Sequence, residues 1–486
     1  MSEFASPGVA PHSVAQKTFR GAVAIGVRQI VVQGSRILGG IVLARLLTPG
    51  EFGFYAIIVY FQTFLTAFGD AGLAASLVRQ HNEPENIEYR SIFTVQQLFV
   101  LVTTLILWFI SPLMASWYHL QPHDAWLFRL VLASFFATSF MVIPQVRLER
   151  HLAFHSLALI ESTQAILFNA SAVYLAWRGF GAYSFAWALL LRSVIGAVLA
   201  NWISPWRLGW HWDWSIVRSH LSFGVAYQGI QVTSLIKDSI TPVLVGIMLG
   251  SADVGYLSWA VVTAAYPALI LMVLQRLYMP AFARLQHHPQ QLIALTENVI
   301  WSANAITAPL AVITLAMIVP ITVTIYGSKW LVALQYFYLL WPANLFVASA
   351  TPTIGLLNAL GHARTALNFA VLWMAGTWII GAPLIWLYGP IGFPIANLIV
   401  QLSNLWLFRA GQQLVPFKLY SIVLPVWFIA SACGVIVYLA CRIHNPTSVR
   451  GVIAYACLGL LLYAVGLFPV YRAKIRTAWK LLGSAE

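Results

Sequence analysis

Leu46-Leu47-Thr48-Pro49-Gly50-Glu51-Phe52-Gly53-Phe54 finds an echo 202 positions further on, in Met248-Leu249-Gly250-Ser251-Ala252-Asp253-Val254-Gly255-Tyr256. Acid aligns with acid and glycine with glycine. Each stretch ends one apolar run and opens the next. Beyond it the match persists: Pro112 with Pro320 and Pro144 with Pro352 share an offset of 208, and Gly181 with Phe185 corresponds to Gly392 with Ala396. A chain of apolar spans carrying such a duplication is built as two similar halves, the arrangement of transporters that move one half against the other.

Working outward, fourteen runs of spanning length follow one another: 23–43, 53–77, 91–114, 125–145, 156–177, 181–203, 219–249, 254–280, 292–321, 331–352, 366–387, 391–410, 421–441 and 450–470. Hydrophobic residues make up 60% of 486 and charged residues 8%, and the mean hydropathy is +0.80. Water is not the principal solvent of such a chain. Runs of about 20 residues cross the hydrocarbon as helices, and a barrel is excluded because stretches such as Leu98–Ile110 do not alternate. The expected fold is an all-α polytopic membrane protein of about fourteen transmembrane helices. Two six-helix lobes, 1–203 and 219–411, are related by the internal repeat and joined by 204–218, and residues 412–486 add two further spans and a basic tail. The junction is rich in tryptophan (Trp206, Trp210, Trp212, Trp214), suited to headgroup level either as a strap between lobes or as an ordinary aromatic belt.

The net charge of +13 is spread among loops, not gathered into a nucleic-acid-binding tail. With both termini on the cytoplasmic side, inner loops and ends hold sixteen of the 27 Lys and Arg residues and outer loops five. This inside-positive bias predicts an inner membrane protein with both ends facing the cytoplasm and an even number of spans. Residues 1–20 lack the apolar core of a cleavable signal, so insertion by the first span is expected. Cys433, Cys441 and Cys457 show no metal or redox spacing.

The remaining six cations, Arg28, Arg36, Arg129, Arg192, Lys237 and Arg276, fall inside spans. A charge at mid-membrane costs about 2.5–3.5 kcal/mol on insertion scales, so each should face protein, water or a ligand, or snorkel to an interface. At 100° per residue Arg28, Arg36, Gln29 and Gln33 lie at roughly 0°, 80°, 100° and 140° on the first span, opposite Val23, Val27, Ile37 and Ile41. On the seventh span Gln231, Ser234, Asp238 and Thr241 fall within roughly 80°, with Lys237 at their edge. Such stripes serve helix–helix hydrogen bonding or line an aqueous cavity; their recurrence on equivalent helices favours the cavity. Asp70 and Asp238 are embedded acids, suited either to ion coupling or to neutralising a neighbouring cation.

Signals for bond chemistry are weak. His151 and His155 have helical i, i+4 spacing but no supporting carboxylate arrangement beyond Glu149 and Glu161. No Walker sequence is present, no cofactor is implied, and no outer loop is long enough for a sugar-transfer site.

The segments Ser35-Arg36-Ile37-Leu38-Gly39, Leu43-Ala44-Arg45-Leu46-Leu47-Thr48-Pro49-Gly50-Glu51-Phe52-Gly53, Phe68-Gly69-Asp70-Ala71-Gly72-Leu73 and Val78-Arg79 resemble the polysaccharide transporter (oligosaccharide flippase) family. Asp238 through Gly255-Tyr256 looks like its second-half counterpart. That family shares a superfamily with the multidrug and toxin extrusion transporters and the peptidoglycan lipid flippase. The resemblance implies alternating-access transfer of undecaprenyl-diphosphate-linked oligosaccharide across the inner membrane, beside polymerase and export machinery. It also matches Arg36 to the arginine following serine in the first span of the lipid flippase. An ion-coupled multidrug antiporter and, further off, a membrane-embedded sugar-transfer enzyme are the alternatives.

Overall fold

In the computed structural model, residues 29, 31–70, 72–80 and 82–483 are described; the side chains of 70, 221–231, 276, 277 and 470–483 lie outside that description. The described chain forms helices with no strand. Along helix 86–117, Phe109 is 79% exposed while Gln96 and Gln97 are buried to 3% and 2% exposure. A helix that presents phenylalanine outward and glutamine inward is solvated by hydrocarbon.

The chain divides into two compact units. The first runs to Leu235 and includes Gly246–Ala252. Its helices are α1 (31–46), α2 (Pro49–Asp70), α3 (Leu73–Arg79), α4 (Asn86–Trp117), α5 (Ala125–Ser139), α6 (Val142–Arg150), α7 (Phe154–Trp177), α8 (Tyr183–Ile203), most of α9 (Trp214–Asp238), and α10 (Gly246–Leu249). Here α7 packs on α8, α8 on α5, and α5 on both α4 and α2. The second unit comprises Ile236–Val245 and the chain from Asp253. It holds α11 (Ser251–Ala265), α12 (Leu271–Arg284), α13 (Pro289–Ile321), α14 (Leu334–Leu340), α15 (Asn344–Ala359), α16 (Ala363–Tyr388), α17 (Gly392–Gln401), α18 (Asn404–Leu414), α19 (Leu419–His444) and α20 (Val449–Gly483). The long α13 is its axis, carrying α15, α19 and α20.

Eleven helical segments among the described residues are long and apolar enough to cross a membrane, against fourteen spans read in the sequence. The first predicted span begins outside the described residues. The eleventh and twelfth are counted together, because 363–414 runs on through a short 3₁₀ turn at Gly389–Ile391. Helix α7 stands where the fifth was placed, but Glu161, Ser162, Thr163, Gln164 and Asn169 lower its hydropathy.

The repeat signature has a physical meaning at each copy. Glu51 and Asp253 both occupy the first turn of a helix, where a carboxylate meets the positive end of the helix dipole. At the first copy this is a capping box: Thr48 N–H and Oγ donate to Glu51 Oε2 at 2.7 and 2.9 Å, and Glu51 N–H donates back to Thr48 Oγ1 at 3.3 Å. The acids that align across 202 residues therefore start helices.

Between α9 and α10 the chain passes through a π-helical stretch, Ile240–Val245, containing Pro242. Proline has no N–H to continue the ladder. Just before the stretch, the Ile236 carbonyl accepts the Ser239 N–H at 3.3 Å and also the Trp378 indole N–H and the Ser239 hydroxyl, both at 2.6 Å.

The junction 204–213 is docked on the first unit. Trp206 lies edge-to-face on Phe93 at 5.2 Å and Trp210 is 5.8 Å from the same ring. Arg90 Nε donates to the Arg207 carbonyl at 3.0 Å and Arg147 Nη1 to that of Pro205 at 2.5 Å. Nearby, Arg150 donates to the carbonyls of Leu77, Gln80 and Asn82 at 2.6 to 2.8 Å, satisfying the C-terminal end of α3.

Candidate functional site: a cationic wall in the first unit

Helix α1 is exposed on two sides of opposite chemistry. Arg36 is exposed, and so are Leu38 and Val42 at 68% and 40%, which lie roughly 200° and 240° around the helix from Arg36. The apolar side suits lipid. The Arg36 side needs water or a polar ligand.

Three helices complete that side. Tyr55 of α2 stacks on Phe185 of α8, 3.9 Å between centroids at 18°, and more distantly on Phe168 of α7 at 6.0 Å. The Arg192 guanidinium of α8 lies over Phe168 at 6.0 Å, a cation–π contact that holds the long side chain against the helix surface. Arg36 and Arg192 both act electrostatically on Tyr55, and Glu161 of α7 acts on Arg192. Two guanidiniums, one phenol and one carboxylate from four helices thus share one locality, backed by aromatic rings. Two guanidiniums within electrostatic range of one phenol suit a multiply charged oxyanion.

The other candidates are distributed as follows. Gln29 and Gln33 are half-buried on α1. Arg129 has a setting of its own between α4 and α5, with Nε donating to Ser111 Oγ at 3.0 Å and the guanidinium over Trp108 at 5.4 Å and Trp126 at 4.9 Å. Lys237 pairs with its neighbour, Nζ 2.7 Å from Asp238 Oδ1. Ser234 and Asp238 are exposed, whereas Thr241 is buried. The helical rotation that aligned them in the sequence stops at Ser239, where the π-helical stretch takes over. Arg28, and the side chains of Asp70, Gln231 and Arg276, lie outside the described residues.

Glu161 and Tyr55 were missed as site residues. Glu161 carries the same signal as the embedded cations, a charge inside an apolar run. Tyr55 gave no signal, since a tyrosine in a span is ordinary. Among the described residues no group of three or more His, Cys, Asp and Glu could hold a metal ion; His151 lies with Nδ1 2.7 Å from the Arg147 carbonyl and Nε2 3.6 Å from Glu83.

Residues 42–335 match the sequence profile of a family described as polysaccharide biosynthesis protein. The succinoglycan biosynthesis transport protein ExoT of Rhizobium meliloti (strain 1021) is 25% identical over 467 residues, covering 90% of this chain and 89% of that protein. The lipopolysaccharide biosynthesis protein WzxC of Escherichia coli (strain K12) is 20% identical over 412 residues, covering 81% and 80%. Among solved structures, the lipid II flippase MurJ in an inward closed conformation matches with a TM-score of 0.74 at 16% identity, over 92% of this chain and 99% of that one. At that identity the likeness is one of fold.

Proposed function

Because the chain belongs to the polysaccharide biosynthesis protein family, we propose that it carries undecaprenyl-diphosphate-linked oligosaccharide from the cytoplasmic to the periplasmic face of the bacterial inner membrane, by alternating access and without bond chemistry. The observation that carries the reading is the pair Arg36 and Arg192 beside Tyr55 on the polar side of the first unit. A diphosphate needs forked cationic donors in a hydrated recess, while its prenyl chain stays in lipid. The names of the relatives, a succinoglycan transport protein and a lipopolysaccharide biosynthesis protein, support the same class of substrate. Both termini lie in the cytoplasm on the charge bias, and polymerase and export machinery receive the product. Two arginines against one carboxylate weigh against the cationic substrates of a multidrug antiporter.

In a strain deleted for the gene, Arg36→Ala and Arg192→Ala are each expected to restore less than about a tenth of polysaccharide output at normal membrane abundance, with lipid-linked oligosaccharide accumulating; loss of one charge-assisted hydrogen-bonding partner corresponds to about 1.5–3 kcal/mol. Arg36→Lys should be partly active, since an ammonium lacks the fork. Full export by both alanine variants would remove the diphosphate site from this wall, and accumulation of a truncated sugar would identify a transferase.

A further inference from the structure

A cavity of about 590 Å³ opens at the inner end of α4, lined by Glu83, Glu85, Asn86, Tyr89, Arg90 and Arg147. Its volume lies in the range of small-molecule sites, about 300–1,000 Å³, and its lining mixes both signs of charge. A simple anion site would not include two carboxylates, nor a cation site two guanidiniums. Polyhydroxyl ligands need this mixture, because every hydroxyl donates and accepts.

The two arginines and the tyrosine are held in advance of any ligand. Arg90 and Arg147 each use one guanidinium donor on the docked junction, and a guanidinium carries five. His151 Nε2 lies 3.6 Å from Glu83. The Tyr89 ring is packed with Leu73, Leu77, Ile92 and Phe93 and is only 4% exposed. Among the described residues its hydroxyl has no hydrogen-bond partner, although buried polar groups are nearly always matched. Tyr89 borders the cavity, and a ligand hydroxyl that settles against this wall supplies the partner its phenol lacks.

Resting on the transport reading above, we infer that this cavity is the landing subsite for the oligosaccharide part of the lipid-linked substrate, separate from the Arg36–Arg192 wall that takes its diphosphate. On the charge-based topology it faces the cytoplasm, where the loaded lipid is made. Sugar selectivity of this chain is then set in part by residues 83–90 before the substrate enters the spans.

The test uses the full-length protein in lipid nanodiscs with two probes, undecaprenyl diphosphate and the lipid-linked oligosaccharide extracted from the deletion strain. Wild type is expected to bind the oligosaccharide probe about tenfold more tightly. Tyr89→Phe, which keeps the ring packing, and Asn86→Ala should each weaken that probe about fivefold, the worth of one neutral hydrogen bond, with undecaprenyl diphosphate unaffected. Unchanged oligosaccharide binding by Tyr89→Phe, or equal weakening of both probes, overturns the subsite. Insensitivity of both probes to Arg36→Ala overturns the diphosphate wall instead, and a persisting oligosaccharide preference lost in Tyr89→Phe would still support the cavity.

Discussion

Asn304, fully buried in α13, has its amide matched on both sides: Nδ2 donates to the Ile300 carbonyl at 2.8 Å and to Ser349 Oγ at 2.9 Å, and Oδ1 accepts from Trp427 Nε1 at 2.8 Å. One side chain therefore ties α13 to α15 and α19. Asn304→Ala leaves the indole N–H without its acceptor in an apolar interior, and a loss of about 1–3 kcal/mol is expected, read as a lower melting temperature of the detergent-solubilised protein while Ser302→Ala, at a half-buried neighbour, stays near wild type. A sequence shows such a node only as an asparagine in a span, because its partners lie 45 and 123 positions away. The same limit applies to Arg129. Its intramembrane charge was evident from the chain, but the two tryptophans that flank it could be assigned only once α4 and α5 were seen side by side.

Helices were the most legible elements, since length and hydropathy decide a span almost alone. How closely two of them approach was not legible. Gly39 and Gly40 are adjacent in α1 and indistinguishable on paper, yet a β-carbon on Gly39 would fall 2.1 Å from Asn169 Oδ1 of α7, while one on Gly40 would meet nothing within 4 Å. Gly39→Ala is expected to lower stability by about 1–3 kcal/mol through overpacking, and Gly40→Ala to be neutral or raise it slightly through helix propensity. Thermal unfolding of the two purified variants separates them; equal melting temperatures would mean that the α1–α7 contact yields freely. The polar stripe of the seventh span shows a second limit. Its 100° rotation is a property of α-helix, and Pro242 with the π-helical stretch ends it before Thr241.

For the whole molecule, the chain divides into two compact units whose boundary winds through the seventh helix: Ile236–Val245 belongs with the second unit and Gly246–Ala252 with the first. Hydropathy cannot foresee that, because it ranks residues by solvent and not by neighbour. Topology is a matter of the complete chain and its charge distribution. In a cysteine-free background, Ser484→Cys should resist an impermeant thiol reagent added to intact cells and Thr447→Cys, exposed in the turn between α19 and α20, should react. Labelling of Ser484→Cys from outside would invert the orientation and the direction of transport assigned to it.

The arginines at the inner end of the first unit have one more consequence, which concerns the order of events as the chain is made. On the proposed topology Arg90, Arg147 and Arg150 count toward the charge bias that keeps loops on the cytoplasmic side, and the same guanidiniums finish as hydrogen-bond donors to the carbonyls of 77, 80, 82, 205 and 207. They act first as addresses, when only their charge is read, and later as mortar, when only their forked shape is. Lysine would serve the first purpose and not the second, so newly inserted chains carrying it would be correctly oriented but badly closed, and quality-control proteolysis would meet them after insertion has already succeeded.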